Sequence, residues 1–311
     1  MKKITILLIA TVVFYQVGVT AKTADLKLSG FMDLQHNLEG NNANDGFKWG
    51  EIVIRTESKI SKKVSVQAGL KYNTTTDTFG LDEALLNINA NENIEVGLGQ
   101  FDIPLGIDYK YYDSPNRALV SQPLLNTKLY NNWNDLGSKV TYTQDNITAV
   151  GYVINGKNFQ TSGGARAQAT GARISLGLED GEVGLSAAND PTVSDGYVGG
   201  DYTYTAGDIE VLTEVLQVNN KNADKAFAYY VQVKYDINEV FLVGRYGKYQ
   251  EDSSYDRDAD TYGTLSRLSL GAGYKIDANA ELRVEAQINS EDCRSDHIDN
   301  NALLCQATVR F

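Results

Sequence analysis

The last nine residues, Leu303-Leu304-Cys305-Gln306-Ala307-Thr308-Val309-Arg310-Phe311, place apolar side chains at 303, 305, 307, 309 and 311. A period of two marks a strand with one face in an apolar medium and the other in water. The same period recurs upstream. Leu282, Val284, Ala286 and Ile288 alternate with Glu281, Arg283, Glu285 and Gln287. Leu268, Leu270, Ala272 and Tyr274 alternate with Arg267, Ser269, Gly271 and Gly273, and Val64, Val66, Ala68 and Leu70 with Ser65, Gln67 and Gly69. No stretch of comparable length carries a convincing helical period.

Composition agrees with a large sheet. The chain has 311 residues with 28 Gly, 19 Tyr and only 4 Pro, which suits strands better than helices. Aromatics at 10% argue against disorder, and two cysteines are too few for a disulfide scaffold. One apolar run, Ile4 to Val19, approaches the length of a spanning helix, so a helical membrane bundle is excluded. That run follows Met1-Lys2-Lys3 and ends on Val19-Thr20-Ala21, the form of a cleavable export signal over residues 1–21. The competing reading is an uncleaved anchor. Removing residues 1–21 takes two lysines and no acid, so the net charge moves from −12 to −14. Residues 22–311 are then the exported domain, in an oxidising compartment.

Sixteen strands are expected near 25–38, 48–59, 63–72, 81–90, 93–101, 135–143, 147–154, 168–179, 182–188, 197–205, 208–218, 225–236, 239–249, 263–276, 280–290 and 301–311. Short turns and long polar connections alternate strictly between them. An even number of strands of roughly ten residues, with plain turns at one end, is the pattern of a transmembrane antiparallel β-barrel. Lipid cannot satisfy backbone polar groups, so such a sheet closes on itself. A polar inner face also explains a mean hydropathy of −0.32. Alternation alone leaves a soluble β-sandwich or solenoid open. The final strand, ending on Phe311, resembles the C-terminal signal of bacterial outer-membrane barrels, which implies the barrel assembly machinery as a partner.

The longest connection is 102–134, after the fifth strand. The whole layout resembles the Gram-negative outer-membrane porins, trimeric sixteen-stranded barrels that include anion-selective relatives. Locally the resemblance rests on Gly97-Leu98-Gly99-Gln100-Phe101-Asp102-Ile103-Pro104-Leu105-Gly106. It implies an outer-membrane location, a homotrimer, and a third external loop (102–134) folded into the lumen to narrow it. It also implies an acidic loop facing a basic wall: Asp102, Asp108 and Asp113 opposite Arg55, Arg267, Arg283 and Arg310. Alternation by itself points inward Arg55, Lys71, Lys139, Arg173, Lys234, Arg245, Arg267, Arg283 and Arg310, with Asp33, Glu51, Glu57, Glu83, Glu95, Asp201, Glu210, Glu214, Glu281 and Glu285. The competing reading is a set of wall salt bridges with little effect on selectivity. Arg117 and Lys128 are further loop cations. Tyr109, Tyr111 and Tyr112 either line a narrow mouth or pack the loop on the wall.

The polar connections 250–262 and 290–300 are strongly acidic, which favours a weak cation preference and divalent ions shared with lipopolysaccharide. Asp256, Asp258 and Asp260 have the spacing of the start of a calcium loop. Thr261 stands where its glycine belongs and the later glutamate is missing, so the Ca2+ pattern is incomplete. Cys293 and Cys305 flank the last hairpin tip, and in an exported chain they are expected to pair; two free thiols are the alternative. His36 and His297 are the only histidines. No catalytic triad or zinc cluster follows from their spacing. There is no basic patch for nucleic acid, so the expected activity is passive diffusion and not an enzyme's. A substrate-selective pore for an oligosaccharide or anion, and a non-conducting adhesin or structural anchor, are the alternatives.

Overall fold

A computed structural model of the chain describes residues 26–39, 46–74, 77–159, 167–220, 225–251, 263–292 and 300–311. The proposed signal segment, Asp256, Asp258, Asp260, Cys293 and His297 lie outside them. The strands are β1 (Leu26–Glu39), β2 (Gly46–Lys59), β3 (Val64–Asn73), β4 (Thr78–Asn89), β5 (Ile94–Asp102), β6 (Asn134–Gln144), β7 (Ile147–Ile154) and β8 (Ala169–Leu178). They continue as β9 (Gly181–Asp190), β10 (Asp195–Ala206), β11 (Ile209–Asn220), β12 (Lys225–Ile237), β13 (Val240–Glu251), β14 (Thr264–Lys275), β15 (Ala280–Asp292) and β16 (Ala302–Arg310). Each lies within three residues of the bounds expected from alternation.

Every strand pairs antiparallel with its sequence neighbour, and β1 pairs with β16 from Phe31↔Arg310 to Glu39↔Ala302. The sheet is a closed ring of sixteen, without an edge to leave N–H and C=O groups unpaired. The two faces differ as the period of two demands. Leu185, Val198, Leu270 and Ile288 point outward, while their neighbours Ser186, Tyr197, Ser269 and Gln287 are buried inward. Outward aromatics gather near both rims: Tyr142, Tyr202, Tyr235, Tyr274 and Phe311 toward the short turns, Phe47, Phe79 and Phe227 toward the long connections. His36 stacks edge-on against Phe47, 4.4 Å between ring centroids, in that second belt.

The short turns are made by local side chains. Ser61, Asn91 and Asp277 each accept two N–H groups from residues two and three further on, the economical turn of Ser, Asn and Asp. Asp145, Asn238 and Gly207 take the left-handed conformation that tight hairpins need.

Of the two cysteines expected to pair, Cys305 carries a free thiol on the rung of Val284, and Cys293 lies outside the described residues.

An outward face of this kind needs an apolar surrounding. Leu270→Arg, in mid-strand, should lower the stability of the chain refolded in phospholipid vesicles by about 2–4 kcal/mol. Urea titration measures it, and an unmoved midpoint would mean that this face does not meet lipid.

Candidate functional site

Residues 103–133 turn into the barrel. The reason is composition: Ile103, Leu105, Ile107, Leu119, Leu124, Leu125 and Trp133 are apolar, and all are buried. Ile103, Leu105, Leu124, Leu125 and Trp133 pack with the inward side chains Tyr152, Ile154, Tyr197, Leu212, Leu216 and Tyr230, while Leu119 sits on Phe241 and Val243. Three short helical turns interrupt the segment, Asp108–Tyr111, Ser114–Asn116 and a wider π-type turn at Asn126–Tyr130. No helical period announced them.

The path of the segment is fixed by hydrogen bonds to the wall. Gly106 N donates to Ser186 Oγ on β9 at 3.0 Å. Ile107 N and Asp108 N donate to Glu214 Oε2 on β11 at 3.3 and 3.2 Å. Gly106 has φ +69°, and a Cβ there would strike the Glu214 carboxylate, so only glycine fits without strain. Asp113 then pairs with Arg55 on β2 at 2.5 and 2.9 Å. Ser114 Oγ donates to Asp33 on β1 at 2.5 Å and Ser114 N to Glu51 on β2 at 2.7 Å. In a ring of sixteen, β9 and β1 are eight places apart, the greatest separation there is. Residues 106–114 therefore cross the lumen from wall to wall.

The chain returns along the wall. Arg283 on β15 donates to Ser114 O at 2.7 Å, and Arg310 on β16 donates to Pro115 O. Ser121 N and Oγ donate to Glu285 on β15 at 2.8 and 2.6 Å, while Arg245 on β13 donates to Ser121 O at 3.0 Å. Tyr130 OH donates to Glu214 at 3.2 Å. Inward carboxylates thus accept loop N–H and O–H groups, and inward arginines donate to loop carbonyls. Hydrogen bonds with one charged partner contribute ~1.5–3 kcal/mol each.

This packing divides the lumen. Inward residues at mid-height on β7 to β16, among them Arg173, Asp201, Glu214, Gln232, Arg245 and Glu285, are buried. Glu182, Glu210, Lys234 and Arg267, nearer the two rims, keep partial exposure. On β2 to β6 the ionic side chains Arg55, Lys71, Asp82, Glu83, Asp102 and Lys139 keep partial exposure, as does Asp113 of the crossing segment, while Glu51, Asn87 and Gln100 are buried. Water therefore reaches the inner wall at mid-height on the β2–β6 side. There Arg55 also meets Asp82 at 2.9 Å, Lys71 meets Glu51 at 2.7 Å, and Lys139 lies 4.9 Å from the centroid of the Phe101 ring.

The expected acidic and basic sets meet only in part. Asp113 and Arg55 are in direct contact, not on opposite sides of an opening. Arg283 and Arg310 hold loop carbonyls, and Arg267 donates to Asn289 at 2.7 Å. Arg117 is buried, donating to Tyr112 O and lying 3.6 Å from Glu51. Asp102 accepts from Asn134 at 2.8 Å. Asp108 turns into the protein, 3% exposed, and accepts from Asn126 at 2.5 Å. Burial raises its pKa above the usual carboxylate range, with the Asn126 hydrogen bond pulling the other way. Tyr112 is buried in the apolar cluster, and Tyr109 and Tyr111, partly buried, pack against it. Ser114, Ser121, Asp82 and the clamping role of Glu214 and Glu285 were not expected; the inward parity of the glutamates was their only signal. Among the described residues no three potential metal ligands stand together.

The fold is shared with solved outer-membrane channels. The chain superposes on the outer-membrane channel DcaP of Acinetobacter baumannii with TM-score 0.71 at 13% identity, covering 94% of this chain and 99% of that one. It superposes on an anion-selective porin from Comamonas acidovorans with TM-score 0.69 at 11% identity, covering 93% and 99%. For the trimer form of OmpT, an outer-membrane protein of Vibrio cholerae, the TM-score is 0.68 at 13% identity, covering 93% and 99%. No protein-family model matches the chain, and no curated protein matches it by sequence.

Asp108 gives a pH test. A raised pKa in the folded state means that the folded form favours the protonated acid, so docking of the loop weakens as pH rises through that value. Asp108→Asn keeps an acceptor for Asn126 and removes the charge. Its melting temperature should match the native protein's at pH 4 and equal or exceed it at pH 8; a variant less stable at pH 8 contradicts the assignment.

Proposed function

We propose that the chain is an outer-membrane porin of a Gram-negative bacterium, a water-filled pore for passive diffusion of ions and small hydrophilic solutes. The observation that carries this reading is the half-exposed charged strip on β2–β6, left beside a loop strapped across a closed barrel. Such a strip offers a polar route through an apolar-jacketed cylinder, and moving a solute along it needs no covalent chemistry. The likeness to solved channels supports the same reading at the level of fold.

Within the strip Asp82, Glu83, Asp102 and Asp113 outnumber Arg55, Lys71 and Lys139 by one. Together with a net charge of −12 this supports a weak cation preference. A homotrimer is the proposed assembly, in keeping with the trimer form of the Vibrio protein. Insertion through the assembly machinery by way of the last strand, and contact with lipopolysaccharide, belong to the same proposal. The lumen-crossing path of residues 106–114 favours a second reading, a narrow and solute-selective pore.

Planar-bilayer recording with a salt gradient separates these readings. Ohmic steps with a reversal potential on the cation side are expected, and Glu83→Lys should move that potential toward anions. Replacing residues 112–118 by a Gly-Ser linker should raise single-channel conductance. Block by particular solutes would favour the selective pore. Silence from folded protein would overturn both readings and leave an anchor or adhesin.

A further inference from the structure

The ionic groups that clamp the loop and line the strip stand on inward positions. Two lysines stand on the other face of the sheet. Lys225 on β12 shares the parity of the outward Phe227 and Val231, and Lys248 on β13 that of the outward Leu242 and Tyr246. Lys234 and Lys275, inward on β12 and β14, are both paired with Asp236, at 2.7 and 2.6 Å. Lys225 and Lys248 enter no ion pair among the described residues. We propose that the outward face of β11–β14, at the long-connection end, binds the phosphorylated head group of an outer-leaflet glycolipid, lipopolysaccharide, through Lys225 and Lys248. Which leaflet this end meets rests on the porin reading, in which the long connections face outside.

The patch consists of three successive rungs of one face. Asn219 stands opposite Lys225, Gln217 and Gln250 flank Phe227, and Tyr229 and Ser266 flank Lys248. None of these neighbours is a carboxylate. The next rung is apolar, with Val231, Tyr246 and Leu268 all exposed. Cations and amides therefore give way to aromatic and aliphatic side chains from the rim toward mid-strand, the order of head group and acyl chain in a lipid.

Charge selects the occupant. An ammonium on a face that meets hydrocarbon is costly, and least so near the interface. A lysine stem lies along apolar surface and carries its ammonium up to the head groups. With no carboxylate beside it on the protein, that ammonium takes its counter-charge from the lipid. Lys225 is four residues along β12 from Tyr229, the rung partner of Lys248, roughly 13 Å at the rise of a strand. Two flexible lysine stems close much of that span, so two phosphates on one disaccharide head group can engage both.

Lipid binding and ion flow are measured separately, so that the failure of one is not the failure of the other. The folded full chain in detergent is titrated with lipid A and followed by native mass spectrometry. Folding of each variant is checked by heat-modifiable gel mobility. A saturable adduct of one lipid per chain is expected for the native protein. Lys248→Gln should weaken it about tenfold, Lys225→Gln combined with Lys248→Gln should abolish it, and Lys248→Arg should retain it. Lys62→Gln, on a short turn at the other rim, should leave it unchanged. Absence of a saturable adduct in the native protein, native affinity in the folded double variant, equal binding of dephosphorylated lipid A, or tighter binding of phosphatidylglycerol than of lipid A overturns the proposal. Silent bilayers from the same protein with lipid binding intact would contradict the pore and leave this site in place.

Discussion

The pairing of β16 with β1 governs everything inside this molecule. A sheet with an apolar outer face cannot leave an edge of bare N–H and C=O groups in a medium without water. Closing the ring removes the edge and creates an interior in the same step. That interior is wide in a barrel of sixteen strands, and β-strand side chains alone do not fill it. The connection between β5 and β6 does so, because its own apolar residues have nowhere else to be buried.

Charge in the interior has two uses, which meet on β2. On β9 to β16, and at Glu51 of β2, carboxylates and arginines bind the backbone of the inserted segment. A buried charge without partners is costly, and loop N–H and C=O groups supply those partners without adding further charge. On β2 to β6 the ionic groups pair with one another and keep contact with water. The first set is structural scaffolding. The second is the surface a passing ion would meet.

Much of this was legible in the chain. Strict alternation located all sixteen strands, and side-chain parity turned Arg55, Lys139, Glu214 and Glu285 inward. Prolines and length marked out the inserted segment. What stayed hidden depends on contacts far apart in sequence. Asp102, Asp108 and Asp113 look alike as letters, yet one takes an amide hydrogen bond at a strand end, one is buried against Asn126 and one grips Arg55. Ser114 and Ser121 carry no signal, because their partners lie 81 and 164 residues away.

The central claim is that a strap from β9 to β1 leaves the aqueous route on one side only. Single cysteines introduced with Cys293 and Cys305 changed to serine, probed by a charged thiol reagent in intact membranes, test it directly. Glu83→Cys and Lys139→Cys should react rapidly, and Gln232→Cys and Gln287→Cys slowly or not at all. Equal labelling of both pairs would contradict the account, since it would mean that water reaches the whole inner wall and that the loop does not divide it.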